Sequence, residues 1–191
     1  KSFGSNQVLD RFNAVFPEHR VTCIMGPSGC GKTTLLNIIL GLVQPDSGKM
    51  AGIPKLKSAV FQEDRLCESF NAVTNVRLVC GKKANKDLIV SHLESMGLGE
   101  SLDKPVSELS GGMKRRVAVV RAVIAQSDLL VMDEPLKGLD SETKNLVIEY
   151  IRDNLRNRTV IMVTHSIDEV RAFDAELITM KLLHPKARQE E

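Results

Sequence analysis

VTCIMGPSGCGKTTLLNIILG, residues 21–41, decides the fold. The first five residues form a short β-rich apolar run, the pattern of a strand buried on both faces. KTTLLNIIL at 32–40 has helical spacing and is stopped by Gly41. Between them, Gly26, Pro27, Ser28, Gly29, Cys30, Gly31, Lys32 and Thr33 satisfy GxxxxGK[ST], with a strand before and a helix after, the context the pattern needs. Glycines let main-chain N–H groups converge on phosphates, and the helix N-terminus adds positive potential. Lys32 supplies a mobile point charge, and the Thr33 hydroxyl can ligate Mg²⁺. Thr34 is counted with this loop. Cys30 inside it reads either as a thiol whose oxidation blocks the site or, more simply, as a small space-filling residue.

Outward from this unit, SAVF (58–61), LLVM (129–132), TVIMVT (159–164) and AELITM (175–180) are further strand-like runs. TKNLVIEYIRDNL (143–155) carries Leu146, Val147, Tyr150, Ile151 and Leu155 on one helical stripe. SIDEV (166–170) has a capping-box start, Ser166 with Glu169. The alternation predicts an α/β fold with a mostly parallel sheet. Residues 63–126 break the rhythm: DLIVSHLESMG (87–97), with Leu88, Ile89, Leu93 and Met96 facing one way, is helical, and no buried strand is evident. The expectation is one domain over 1–191, its core at 1–62 and 127–191 and a helical subdomain at 63–126.

Bulk composition narrows the function. The chain has 191 residues, 42% hydrophobic and 26% charged, enough for a sizeable core. Its 26 basic and 24 acidic residues nearly cancel, so the basic footprint of a generic nucleic-acid binder is missing; the charge by itself argues neither for nor against a partner. Cys23, Cys30, Cys67 and Cys80 match no zinc or CxxC spacing, and the histidines form no HExxH, which agrees with a reducing cytosol. Runs such as VAVV (117–120) stop far short of the ~18 apolar residues that span a bilayer, so a second chain must supply any spanning part. The chain opens on Lys1 with no leader pattern, and a start upstream of Lys1 is expected.

Chemistry collects at strand ends. LLVMDEP (129–135) closes with Asp133 and Glu134. In phosphate-loop NTPases an acid at that point holds Mg²⁺, the role given to Asp133, and Glu134 remains as a general base for water. A solvated strand-end pair is the bland reading of these two alone. His165 closes TVIMVTH and Gln62 closes SAVFQ. Singly each reads as structural, but in a parallel sheet Gln62, Asp133 and His165 project from one end.

ELSGGMKRR (108–116) adds a second glycine-rich helix entry. The ordered set of Gly26 to Thr33, Gln62, LSGGM (109–113), LLVMDE (129–134), LKGLD (136–140) and His165 resembles the ATP-binding cassette family of ATPases over nearly the whole chain. The resemblance implies a RecA-like phosphate-loop NTPase core and a head-to-tail pair of cassettes, a homodimer in the active state. In that pair Ser110, Gly111 and Gly112 of one copy cover the γ-phosphate of ATP held with Mg²⁺ by the other. It implies Asp140 at the dimer seam, His165 on the γ-phosphate, Gln62 sensing metal or water, and Phe3 stacked on adenine. Lys32, Gln62, Glu134 and His165 become the catalytic set, and Thr33, Gln62 and Asp133 the metal set. Arg115 and Arg116 read either as phosphate ligands or as a solvated helix face.

The resemblance further implies a transmembrane permease received by roughly residues 61–76, a substrate-binding protein acting indirectly, no nucleic-acid partner, and a place on the cytoplasmic face of the membrane. FQEDRL (61–66) is similar to the nitrate, sulfonate and taurine importer group, but CESFNAV (67–73) replaces that group's Pro- and Trp-containing patch, which leaves the cargo open. Met113 and Lys137 also depart from the family pattern. The alternative is a soluble cassette ATPase acting on nucleic acid or the ribosome. The short interval from Thr33 to Ser110 excludes the long coiled coil of chromosome-type members.

Overall fold

The computed structural model describes residues 1–81 and 85–183. The parts of the expected subdivisions at 82–84 and 184–191 lie outside the described residues. A two-stranded antiparallel ribbon, β1 (Ser2–Phe3) and β2 (Asn6–Gln7), precedes the main sheet. That sheet comprises β3 (Val21–Met25), β4 (Lys57–Val60), β5 (Leu129–Asp133), β6 (Thr159–Val163) and β7 (Glu176–Thr179), in the order β4-β5-β6-β3-β7 with every pair parallel. The expected α/β class with a parallel sheet is the observed one.

The central strands are largely apolar because helices cover both faces, with Thr22 of β3 and Asp133 of β5 as buried polar residues in them. Along β5, Leu129 and Val131 pack with Leu35, Leu36, Ile38 and Ile39 of α1 (Lys32–Leu40), while Leu130 and Met132 face the opposite core. That opposite core includes Val117, Val119 and Val120 of α4 (Gly111–Ile124) and Val147, Tyr150 and Ile151 of α5 (Ser141–Asp153). Full burial of each such aliphatic side chain contributes ~1.5–3 kcal/mol. Gly41, at φ 81°, ends α1: its N–H donates to the Ile38 carbonyl, and the Leu42 N–H donates to that of Asn37.

Between β4 and β5 the regular elements among the described residues are helical: α2 (Ala72–Cys80), α3 (Lys86–Ser95), two short 3₁₀ turns and α4. Three expectations fail here and at α6 (Ile167–Ala172). Leu88 is exposed while Ile89, Leu93 and Met96 are buried, because α3 presents only a narrow seam to its neighbours. Ser166 forms no side-chain cap on α6. The Thr164 hydroxyl instead engages both capping-box residues, accepting from the Ser166 N–H and donating to the Glu169 carboxylate. Arg115 is neither on a solvated face nor free for phosphate: it is 4% exposed and bonded to protein carbonyls.

Parallel pairing brings the carboxyl ends of the strands together. Val60 pairs with Met132, Asp133 with Val163, and Val163 with Ile24. The phosphate-type loop, Gln62, Asp133, Glu134 and His165 therefore leave the sheet at one edge.

Candidate active site

The loop after β3 is shaped by its own lysine. Lys32, 7% exposed, donates from Nζ to the Gly26 carbonyl at 2.7 Å and the Pro27 carbonyl at 3.1 Å. Gly31 is the N-cap of α1 at φ 97°, with no side-chain cap and no acidic residue in the first turn. The first N–H groups of α1 and its positive end are thus left for an anion. A Cβ on Gly31 would lie 2.9 Å from Leu9 Cδ2 and 3.0 Å from the Val8 carbonyl, so the position admits glycine on steric as well as dihedral grounds. Cys30 is buried in the core beneath the loop, which fits the space-filling reading.

Thr33 and Asp133 meet across one hundred residues of chain: Thr33 Oγ1 donates to Asp133 Oδ2 at 2.8 Å. Asp133 is 5% exposed. Burial pushes its carboxyl above the usual range, as does the Glu134 charge, and the Thr33 hydrogen bond, Lys32 and Arg115 pull it down without prevailing. Beside it, Glu134 Oε1 accepts from His165 Nε2 at 3.1 Å and Oε2 from Lys137 Nζ at 2.8 Å. Burial raises the Glu134 carboxyl, but Lys137 and His165 together outweigh it and hold it below the usual range. Glu134 also stands at φ 50°, a left-handed conformation that costs a non-glycine residue about 1–3 kcal/mol and persists only where the surroundings enforce it. Its N–H donates to the Val163 carbonyl at 3.0 Å, and its carbonyl accepts from Arg115 Nη2 at 2.6 Å.

A cleft of about 320 Å³ is lined by Val8, Ser28, Gly29, Gly31, Lys32, Thr33, Thr34, Gln62, Glu134 and His165. Gly26 and Pro27 support it through Lys32, and Asp133 through Thr33. The remaining candidates stand apart from its lining. Phe3 is half exposed on the β1–β2 ribbon, with Lys1 Nζ 5.2 Å from its ring centroid. Ser110 caps α4 by accepting from the Met113 N–H at 3.3 Å, and Gly111 has open space around it. Asp140 caps α5. Hydrogen bonds from the Thr143 backbone and hydroxyl hold its carboxyl below the usual range.

Sequence reasoning gave Lys137 and Val8 no part at this edge, and gave Arg115 the wrong one. For Arg115 a signal existed: 115, 118, 119 and 122 form an i, i+3, i+4, i+7 stripe whose other members are buried. Lys137 stood out as a departure from the LKGLD pattern, but its ion pair with Glu134 depends on a loop conformation. Val8 carried no signal.

The family pattern described as ABC transporter matches residues 9–137, more than half of the chain. The aliphatic sulfonates import ATP-binding protein of Pseudomonas fluorescens is 37% identical, over 95% of this chain and 70% of that protein. The taurine import ATP-binding protein of Ruegeria pomeroyi is 36% identical, over 92% and 71%. The dimeric structure of MJ0796, a bacterial ABC transporter cassette, superposes with a TM-score of 0.77 at 28% identity, over 91% of this chain and 86% of that one. In sequence and in fold, the chain belongs to the ABC transporter family.

Proposed function

We propose that this chain is the ATP-hydrolysing subunit of an importer of a small solute, working as a pair of cassettes beneath a membrane permease. The observation that carries the reading is the shared cleft: an uncapped helix N-terminus with Lys32 on one side, and Glu134 with His165 on the other. The loop amides and Lys32 hold the β- and γ-phosphates. Thr33 and Asp133 would hold Mg²⁺. They pair a hydroxyl with a carboxylate whose burial leaves it short of positive charge, and this hard-oxygen set suits that ion. When bound, the ion neutralises phosphate charge. Glu134 takes a proton from water as the water oxygen bonds to the γ-phosphorus and the bond to the β-phosphate oxygen breaks, releasing ADP. His165 orients the Glu134 carboxylate and reaches the γ-phosphate, and Gln62 faces the same space.

Ser110, Gly111 and Gly112 do not line their own chain's cleft, which supports a second copy that brings its loop to the first. Asp140 then lies at the seam and Phe3 beside the adenine. Roughly residues 61–76 receive the permease, an assignment supported by exposed Phe70. No helix among the described residues is long and apolar enough to cross a membrane, so the place at the cytoplasmic face is borrowed from that permease. A capture protein acts through the permease and not on this chain. The importer reading rests on relatives named for sulfonate and taurine import.

Glu134→Gln tests the chemistry. Turnover is expected to fall about 10²–10⁴-fold with nucleotide binding retained, and unchanged hydrolysis would remove Glu134 as the base. The same variant in saturating Mg-ATP is expected to sediment as a dimer. If it stays monomeric with its permease supplied, the paired arrangement is wrong. Uptake of a sulfonate into proteoliposomes holding the permease, this chain and a capture protein, driven by ATP, tests the importer reading.

A further inference from the structure

Arg115 is neither a phosphate ligand nor solvated: its guanidinium joins two arms of the cleft. Nη2 donates to the carbonyls of Asp133 (3.0 Å) and Glu134 (2.6 Å), and Nε to that of Pro135 (3.1 Å). Nη1 donates to the carbonyls of Phe61 (2.7 Å) and Gln62 (3.4 Å) and to Asp64 Oδ1 (2.9 Å). One buried, rigid fork thus grips the peptides of both Glu134 and Gln62, while Asp64 balances its charge.

We propose that Arg115 is a positioning residue for hydrolysis, coupling displacement of the 61–64 segment to the orientation of the Glu134 carboxylate. The inference rests on the reading of Glu134 as general base. Three features support it. Glu134 is held in a left-handed conformation that its surroundings must enforce, and Arg115 binds its carbonyl directly. Arg115 is 4% exposed and its bonds to the Asp133 and Pro135 carbonyls are buried, so a carbonyl that slips from the fork on that side is left unsatisfied, and the fork stays anchored there while Nη1 holds the 61–64 segment. Only arginine offers five N–H donors in a planar fork, and a lysine at 115 would be a point charge with three. The 61–64 segment also opens the stretch proposed to meet the permease, so a partner pressing there is felt at the base through a single side chain.

The test uses the full chain in saturating Mg-ATP. Arg115→Lys is expected to lower kcat about tenfold or more, as small misplacement of a catalytic group does, while the Kd for a fluorescent ATP analogue stays within about twofold, because no phosphate contact is altered. Gln62→Ala is expected to reduce kcat in the parent and to add little in the Arg115→Lys background, the non-additivity of a coupled pair. Should Arg115→Lys fail to fold, Asp64→Asn at a position only a quarter exposed serves in the same cycle, with an expected loss of about threefold. Unchanged kcat in the lysine and Asp64→Asn variants, strict additivity with Gln62→Ala, or weakening of nucleotide affinity in proportion to kcat would each overturn the coupling. Failure of the underlying reading appears separately, as hydrolysis that survives Glu134→Gln in the parent.

Discussion

Helices α1 and α4 are both entered through glycine-rich sequence, and their N-termini are finished in opposite ways. At α1 the cap is Gly31, locked by sterics, and no side chain satisfies the first amides. At α4 the cap is Ser110, whose hydroxyl already accepts from Met113, and Gly111 sits in open space. The first end is incomplete without an anion. The second is self-sufficient in the single chain, so its glycines make sense as a surface cleared for something that approaches from outside.

The sharpest way to break this contrast is to add one methyl group at each glycine. Gly31→Ala meets Leu9 and Val8 and a dihedral it cannot easily adopt. Strain of about 1–3 kcal/mol should distort the loop and weaken nucleotide binding by about a hundredfold, read by titration calorimetry. Gly111→Ala meets nothing and should leave single-chain affinity unchanged, yet lower turnover about tenfold by obstructing the approach of a second copy's phosphate. Equal losses of affinity in the two variants would erase the distinction. Ser110→Ala removes a long cap bond and should cost ~0.5–1 kcal/mol, lowering Tm by a few degrees in a thermal melt with no change in single-chain nucleotide affinity.

The smallest effect is expected at Lys137, exposed on the loop before Asp140. Its ammonium holds the Glu134 carboxyl below the usual range, so Lys137→Ala should let that carboxyl rise. The acid limb of the kcat–pH profile then moves to higher pH, with kcat at neutral pH changed by no more than about threefold. Movement of that limb to lower pH would show that Lys137 does not act through this ion pair.

The core sheet was legible because strands covered on both faces must be apolar without alternation, and runs of that kind stand out at 21–25, 129–132 and 159–163. Strand ends carrying Gln62, Asp133 and His165 followed from parallel pairing alone. What escaped was local competition. The Ser166 cap yielded to the Thr164 hydroxyl, which reaches both Ser166 N–H and Glu169. Leu88 fitted a helical stripe that α3 does not bury. Arg115 was misjudged because charge was weighed above position: its spacing placed it on the buried stripe, where fixed backbone carbonyls accept the guanidinium instead of solvent.

The strand order has a consequence for biosynthesis. The strand that leads into the first glycine loop, β3, is flanked by β6 and β7, made from residues 159–163 and 176–179. A nascent polypeptide that has emerged only as far as LSGG holds the nucleotide loop on a strand with both edges bare, and such long-range pairing is slow to form. Competence for ATP therefore waits until residues 159–179 have emerged to close around β3, and it arrives nearly all at once.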